Sequence, residues 1–242
     1  MNNFLPVAHN AAAVAEELLH KVFLNDARVA DDSGKDIKTI ADTAAQDLIL
    51  SVLSITGIPV LAEEGEHDAT DLSGLTWIVD PLDGTLNFSR GFPVAAVSIA
   101  LWENEKPLLG VVRDIFSGQV FSARTGHGAW LDEQAIHVSA INKKSQAVLA
   151  TGFPSGRNYD TDSLLQFVHS VQGYKKVRML GSAALMLAQV AAGRFDVYEE
   201  EDIYLWDVAA GLALVQAAGG NFSMQPGSEL YKYYVRATNG CL

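Results

Sequence analysis

The chain has 242 residues, with 17 Lys and Arg against 29 Asp and Glu, a formal net charge of −12. Hydrophobic residues make up 49% and charged residues 19%, so the chain folds around a core rather than staying disordered. The acidic balance argues against broad nucleic-acid binding and against an anionic membrane surface, and on its face it also disfavours an anionic ligand.

Ala11, Val14, Ala15, Leu18, Leu19 and Val22 recur at helical spacing, opposite Glu16, Glu17 and Lys21, and predict an amphipathic helix over residues 8–24. The stretch before it has no basic leader, and His9, Glu16 and Glu17 interrupt its apolar run. It reads as neither a signal peptide nor a membrane span, and a cytoplasmic protein is expected. The polar stretch 26–38, broken by Gly34, reads as a short loop. A second helix is predicted from about Thr39 to Ile55, closed by Gly57.

The apolar run Ile58–Ala62 then ends in Glu63-Glu64-Gly65. Trp77–Val79 ends as abruptly in Asp80-Pro81-Leu82-Asp83-Gly84-Thr85. Val94–Trp102, Leu108–Ile115 and Gln119–Ala123 predict an antiparallel meander. Ala147–Thr151 is a further apolar run. Gly181-Ser182 introduces a helix over Ala183–Ala192, and Trp206-Asp207 opens another over Val208–Ala218. The expected fold is α+β, with helices layered between sheets. If the chain has two lobes, their boundary falls near residues 140–150. Residues 1–145 then carry Glu63, Asp80 and Asp83, and residues 146–242 carry Asp207. Cys241 is the one cysteine, so neither an internal disulfide nor a multi-cysteine zinc site is available.

The chemistry lies where apolar segments meet carboxylates. Glu-Glu-Gly alone is ordinarily a solvated turn, Trp-Asp alone a helix cap, and Asp-Pro-Leu-Asp-Gly-Thr alone a turn. Together they predict several acidic strand ends converging on one oxygen-rich pocket. Such carboxylates repel one another and have raised pKa values unless a cation sits between them. Magnesium, which takes oxygen ligands and retains waters and substrate phosphate, suits that donor set. Pro81 fixes the backbone after Asp80, and Gly84 permits close approach or an unusual φ. Thr85 offers a hydroxyl that can orient a water.

The pattern resembles the inositol monophosphatase superfamily of magnesium-dependent phosphatases. The residues that carry the resemblance are Glu63-Glu64-Gly65, Asp80–Phe88 (DPLDGTLNF) and Trp206–Gly211 (WDVAAG) in that order, supported by Asp36–Asp42 (DIKTIAD) and Gly181–Ala184 (GSAA). It covers nearly the whole chain. Haloacid-dehalogenase-type phosphatases carry one residue between their two aspartates, whereas Pro81 and Leu82 stand between these.

The resemblance implies an αβαβα sandwich and direct attack of a metal-activated water on a phosphomonoester. It implies two or three magnesium ions. Glu63, Asp80 and the Leu82 carbonyl bind the first, Asp80, Asp83 and Asp207 the second, and Glu63 touches a third. Thr85, hydrogen-bonded to Asp42, orients and deprotonates the water. The Gly84 and Thr85 amides hold the phosphate. Glu200 binds a substrate hydroxyl, and Gly181 and Ala183, with Ser155, line the sugar side. It also implies a homodimer. Asn87-Phe88 favours inositol, sugar or polyol phosphates over phosphoadenosine phosphate, with fructose bisphosphate and histidinol phosphate as the other family substrates. A regulatory binding protein is the reading from a different class. Lys35 sits nearer Asp36 than the lysine of many relatives and reads as a solvated loop charge. Six acids placed at one pocket also revise the first inference from net charge, because a cation-filled pocket is locally positive and attracts phosphate.

Overall fold

The computed structural model describes residues 4–24, 29–33, 36–65, 72–153 and 160–242. The chain opens with α1 (Leu5–Leu24), which starts three residues before the predicted helix. The polar stretch predicted as a loop contains a hairpin, β1 (Val29–Ser33) and β2 (Asp36–Thr39), paired antiparallel. α2 (Ile40–Leu53) follows, and a short 3-10 turn extends it to Thr56. Gly57 ends the turn with φ 66°, a left-handed conformation that glycine adopts without strain.

The next seven strands form one sheet in chain order: β3 (Val60–Ala62), β4 (Leu75–Asp83), β5 (Ala96–Glu103), β6 (Lys106–Asp114), β7 (Val120–Arg124), β8 (Gly128–Leu131) and β9 (Gln134–Ile136). β3 runs parallel to β4, and the remaining neighbours are antiparallel, so the predicted meander is the centre of a longer one. The short helix α3 (Thr85–Ser89) lies between β4 and β5.

The chain then passes to a second, five-stranded sheet. Its members are β10 (Val148–Ala150), β11 (Lys176–Arg178), β12 (Val197–Tyr204), β13 (Asn221–Pro226) and β14 (Lys232–Thr238), in the order β11-β10-β12-β14-β13. α4 (Thr161–Val171) connects the parallel pair β10 and β11. α5 (Ala183–Ala191) follows β11, and α6 (Leu205–Ala217) lies between β12 and β13. This is the layered α+β architecture expected.

Two apolar cores explain the layering. Ala12, Leu19, Ile49 and Leu53 from α1 and α2 pack on Trp77, Ile99, Leu101 and Val111 of one face of the larger sheet. On the other face, Ile78, Ala100 and Phe121 meet α5 and α6, which in turn meet Tyr198 and Val235 of the smaller sheet. α5 and α6 are therefore apolar nearly all round, as helices between two sheets must be. The close approach of α6 depends on Gly110 in β6. A Cβ built there would lie 2.5 Å from the Ala210 carbonyl oxygen and 3.0 Å from the Ala213 Cβ.

Candidate active site

Asp80 and Asp83 are three residues apart, an odd spacing that would aim them at opposite faces of a regular strand. The sequence suggested that both lie at a strand end; instead both belong to β4. Asp80 pairs with Ser98 and Asp83 with Ala96, so the pairing slips by one residue between them. That bulge restores a common direction for the two carboxylates. Pro81 sits in the bulge, where its missing N–H is tolerated. The Leu82 amide donates to Asp80 Oδ1 at 2.9 Å and holds that carboxylate in place.

Asp83 is gripped from across the molecule. Ser182, the N-cap of α5, donates its hydroxyl to Asp83 Oδ2. The Ala184 amide donates to the same oxygen at 2.9 Å, and the Ala183 amide to Oδ1 at 3.2 Å. The positive end of α5 therefore faces a carboxylate. Asp207 is the third residue of α6, which begins earlier than predicted, and the Tyr204 amide donates to its Oδ2 at 3.2 Å. Ser98 donates to the Trp206 carbonyl at 3.4 Å, and the Trp102 indole to that of Ala209 at 3.3 Å. These bonds tie the start of α6 to β5, beside Asp80.

Oxygens of Asp80, Asp83 and Asp207 lie within 4.8 Å of one another. Burial raises the pKa of all three. For Asp80 and Asp207 the neighbouring carboxylates add to the rise, and both stand well above the usual range. Asp83 reaches about 6, because Ser182 and the α5 amides offset part of its burial. Burial also carries Glu63 to about 7. Gln46 of α2 positions the turn around it, donating to the Glu64 carbonyl at 2.6 Å and accepting from the Glu64 amide at 3.0 Å. Glu63 stands beside the aspartate trio rather than within it.

Asp80 Oδ2 is buried without a hydrogen-bond partner. An orphaned carboxylate oxygen among other carboxylates is costly unless a cation completes it. The donors offered are oxygens, with no histidine or cysteine in the cluster, so the residues fit a hard divalent ion.

The Thr85 hydroxyl lies 3.0 Å from Asp42 Oδ1 and 2.9 Å from the Leu82 carbonyl oxygen. Gly84 has φ 88°, and a Cβ there would lie 2.8 Å from the Val94 carbonyl oxygen and 3.1 Å from that of Gly181. Asn87 Nδ2 donates to the carbonyls of Val94 at 3.0 Å and Leu180 at 2.7 Å, fastening the same loops together.

A cleft of about 180 Å3 opens beside the carboxylates. Asp83 and Asp207 form one end, Gly181 and Ala183 a wall, and Glu200 another wall. Lys35 and Ser155 lie outside the described residues. Ser182 was read as a helix start and as part of the Gly181–Ala184 segment that supports the resemblance; that spelling marks an N-cap but not the carboxylate that it holds. Gly152, Met186 and Ile203 also line the cleft and carried no sequence signal.

A test follows from the raised carboxylates. The cation-free folded chain holds protons more tightly than the unfolded chain between about pH 4 and about 7. Those groups therefore favour the fold most below pH 4, and that contribution disappears as pH rises to 7. With a chelator present, the melting temperature should fall from pH 5 to pH 7.5, and magnesium should recover it at pH 7.5. A melting temperature insensitive to magnesium at pH 7.5 would contradict cation binding by this cluster.

The model of the inositol monophosphatase family matches residues 1–240. Inositol-1-monophosphatase SuhB of Mycobacterium tuberculosis is 39% identical over 192 residues, which cover 75% of this chain and 66% of that protein, just under two thirds of its length. Inositol monophosphatase 3 of Solanum lycopersicum is 38% identical over 256 residues, covering 100% of this chain and 94% of that one. The solved inositol monophosphatase of Anabaena superposes with a TM-score of 0.84 at 33% identity, over 98% of this chain and 91% of that one.

Proposed function

The chain belongs to the inositol monophosphatase family, and from that premise we propose that it is a magnesium-dependent hydrolase of inositol, sugar or polyol monophosphates. The observation that carries this reading is the trio Asp80, Asp83 and Asp207, with its orphaned Asp80 oxygen, at the head of a cleft of about 180 Å3. Family membership also supports a homodimer. Among the described residues no helix is long and apolar enough to cross a membrane.

Asp80, Asp83, Asp207 and Glu63, with the Leu82 carbonyl, would hold the magnesium. Bound there, it neutralises phosphoryl oxygens and lowers the pKa of a nucleophilic water. The chain's own groups do the rest. Thr85, with Asp42 to accept from its hydroxyl, orients the attacking water and directs its proton away. The Gly84 and Thr85 amides receive a phosphate oxygen, and Gly181, Ala183 and Glu200 position the alcohol portion. In this reading the water displaces the alcohol directly and in line, with no phosphoenzyme.

The decisive experiment measures phosphate release, with and without magnesium, from inositol 1-phosphate, sugar monophosphates, fructose 1,6-bisphosphate, histidinol phosphate and phosphoadenosine phosphate. The expected result is magnesium-dependent release from the inositol or sugar monophosphates. No release from any of these would overturn the assignment.

A further inference from the structure

Glu200 and Ile203 both line the cleft, although residues three apart point to opposite faces of a regular strand. β12 pairs Glu200 with Val235 but Ile203 with Tyr233, so its register against β14 slips between them. Such a bulge gives both side chains one direction, as the bulge of β4 does for Asp80 and Asp83. Asp202 sits in the β12 bulge with φ 57°, a left-handed conformation that aspartate adopts more readily than most residues.

The Asp202 carboxylate is held by the turn between β13 and β14. The Ser228 amide donates to its Oδ1 and the Ser228 hydroxyl to its Oδ2, both at 2.7 Å. Lys232 Nζ stands 3.7 Å from Oδ2, and that lysine is only 7% exposed. Gly227 permits the approach, because a Cβ there would lie 2.6 Å from Asp202 Oδ1.

The same turn grips the start of α6. The Leu205 amide, the first of the helix, donates to the Tyr231 carbonyl at 2.9 Å. The Tyr231 ring packs 6.3 Å from that of Trp206, and Trp206 stacks on Tyr204 at 4.4 Å. Lys232 Nζ lies 4.8 Å from the centre of the Tyr204 ring. Tyr204 is the residue whose amide holds Asp207. Bulge, turn and helix start thus form a closed circuit that ends on a carboxylate of the trio.

We propose that Asp202 is a positioning residue: by fastening the β12 bulge to the β13–β14 turn, it holds the N-terminus of α6 and keeps Asp207 aligned with Asp80 and Asp83 for cation binding. This rests on the metal-site reading above. Asp202 acts on the ion only through Asp207, and supports of this kind set the affinity of a metal site by fixing its ligands.

The experiment titrates magnesium into the chelator-treated, folded protein by calorimetry, so that a variant that is merely less stable binds as the wild type does. Asp202→Gly keeps the left-handed backbone free of strain and removes the carboxylate. It should bind magnesium about tenfold more weakly, and the magnesium concentration for half-maximal phosphate release should rise by the same factor. Asp202→Asn still accepts from Ser228 and also tolerates the left-handed conformation, so it should bind as the wild type does. Ser228→Ala removes one of the two bonds on an exposed turn and should weaken binding about threefold. Wild-type affinity in Asp202→Gly would show that the aspartate serves only the backbone bend, and would overturn the inference. If that variant fails to fold, wild-type affinity in Ser228→Ala does the same. A loss in Asp202→Asn equal to that in Asp202→Gly would mark a charge effect and overturn it too. If the wild type binds magnesium and the variants match it, this inference alone falls. If the wild type binds none, the metal-site reading falls with it.

Discussion

Asp207→Asn is expected to lower kcat/KM for a magnesium-assayed phosphomonoester by about 10³-fold while leaving the fold in place. The substitution removes one charged oxygen donor from a trio whose oxygens lie within 4.8 Å of one another. A metal that stabilises phosphoryl charge contributes several kcal/mol to the barrier. Losing about 4 kcal/mol of that corresponds to about 10³ in rate. Asparagine keeps the shape, and its amide oxygen can still accept from the Tyr204 amide, which caps the start of α6 in the wild type at 3.2 Å. Magnesium-free stability should move the other way. Asp207 is partly buried, and desolvation and then its like-charged neighbours raise its pKa, so the neutral variant should melt higher than the wild type at pH 7.5 without magnesium. Stability gained at the expense of activity is the usual signature of a functional site. Near-wild-type turnover in Asp207→Asn would sink the metal assignment.

Gly110→Ala should destabilise the fold by overpacking α6 against the larger sheet. The added methyl group would lie 2.5 Å from the Ala210 carbonyl oxygen, 3.0 Å from its Cα and 3.0 Å from the Ala213 Cβ. None of these is the end of a flexible side chain, so α6 must shift off the sheet as a body. Overpacking of this kind costs about 1–3 kcal/mol, and in a chain of this size about 2–4 °C of melting temperature per kcal/mol. α6 also carries Asp207, so the same shift should weaken magnesium activation. Gly74→Ala is the control, because a Cβ there meets nothing within 4 Å. A melting temperature of Gly110→Ala equal to that of the control would show that the sheet and α6 tolerate the methyl group.

Much of the fold was legible where segments were long and apolar. The helices that became α5 and α6 announced themselves by unbroken runs closed by Gly193 and Gly219. The central meander was legible because turn residues separate its apolar strands. The hairpin β1–β2 was not, because Val-Ala-Asp-Asp-Ser has no apolar alternation to set a register. α4 was missed for a related reason: none of its residues is buried, so its periodicity answers to no core.

At the site, the motifs located the carboxylates but not their supports. Ser182 and Asp83 stand 99 residues apart, and only the docking of the α5 N-terminus on the last residue of β4 makes them neighbours. Likewise, the spacing of Asp80 and Asp83 signalled chemistry, but the bulge that turns them the same way depends on pairing with β5. Glu200 and Ile203 were readable as neighbours in the cleft only once their segment was known to be a bulged strand.

The trio also sets a timetable for synthesis. Asp80 and Asp83 leave the ribosome long before Asp207, which lies 127 residues after Asp80. At about 5–20 residues per second, that interval lasts roughly 6–25 s. Throughout it the nascent chain carries two of the three clustered aspartates and lacks the α6 end of the cleft. If the chain is the hydrolase proposed, competence arrives late in the life of each molecule, when α6 brings Asp207 to the other two aspartates. A chain stalled or cut before that helix would display the central acidic motif and remain inert.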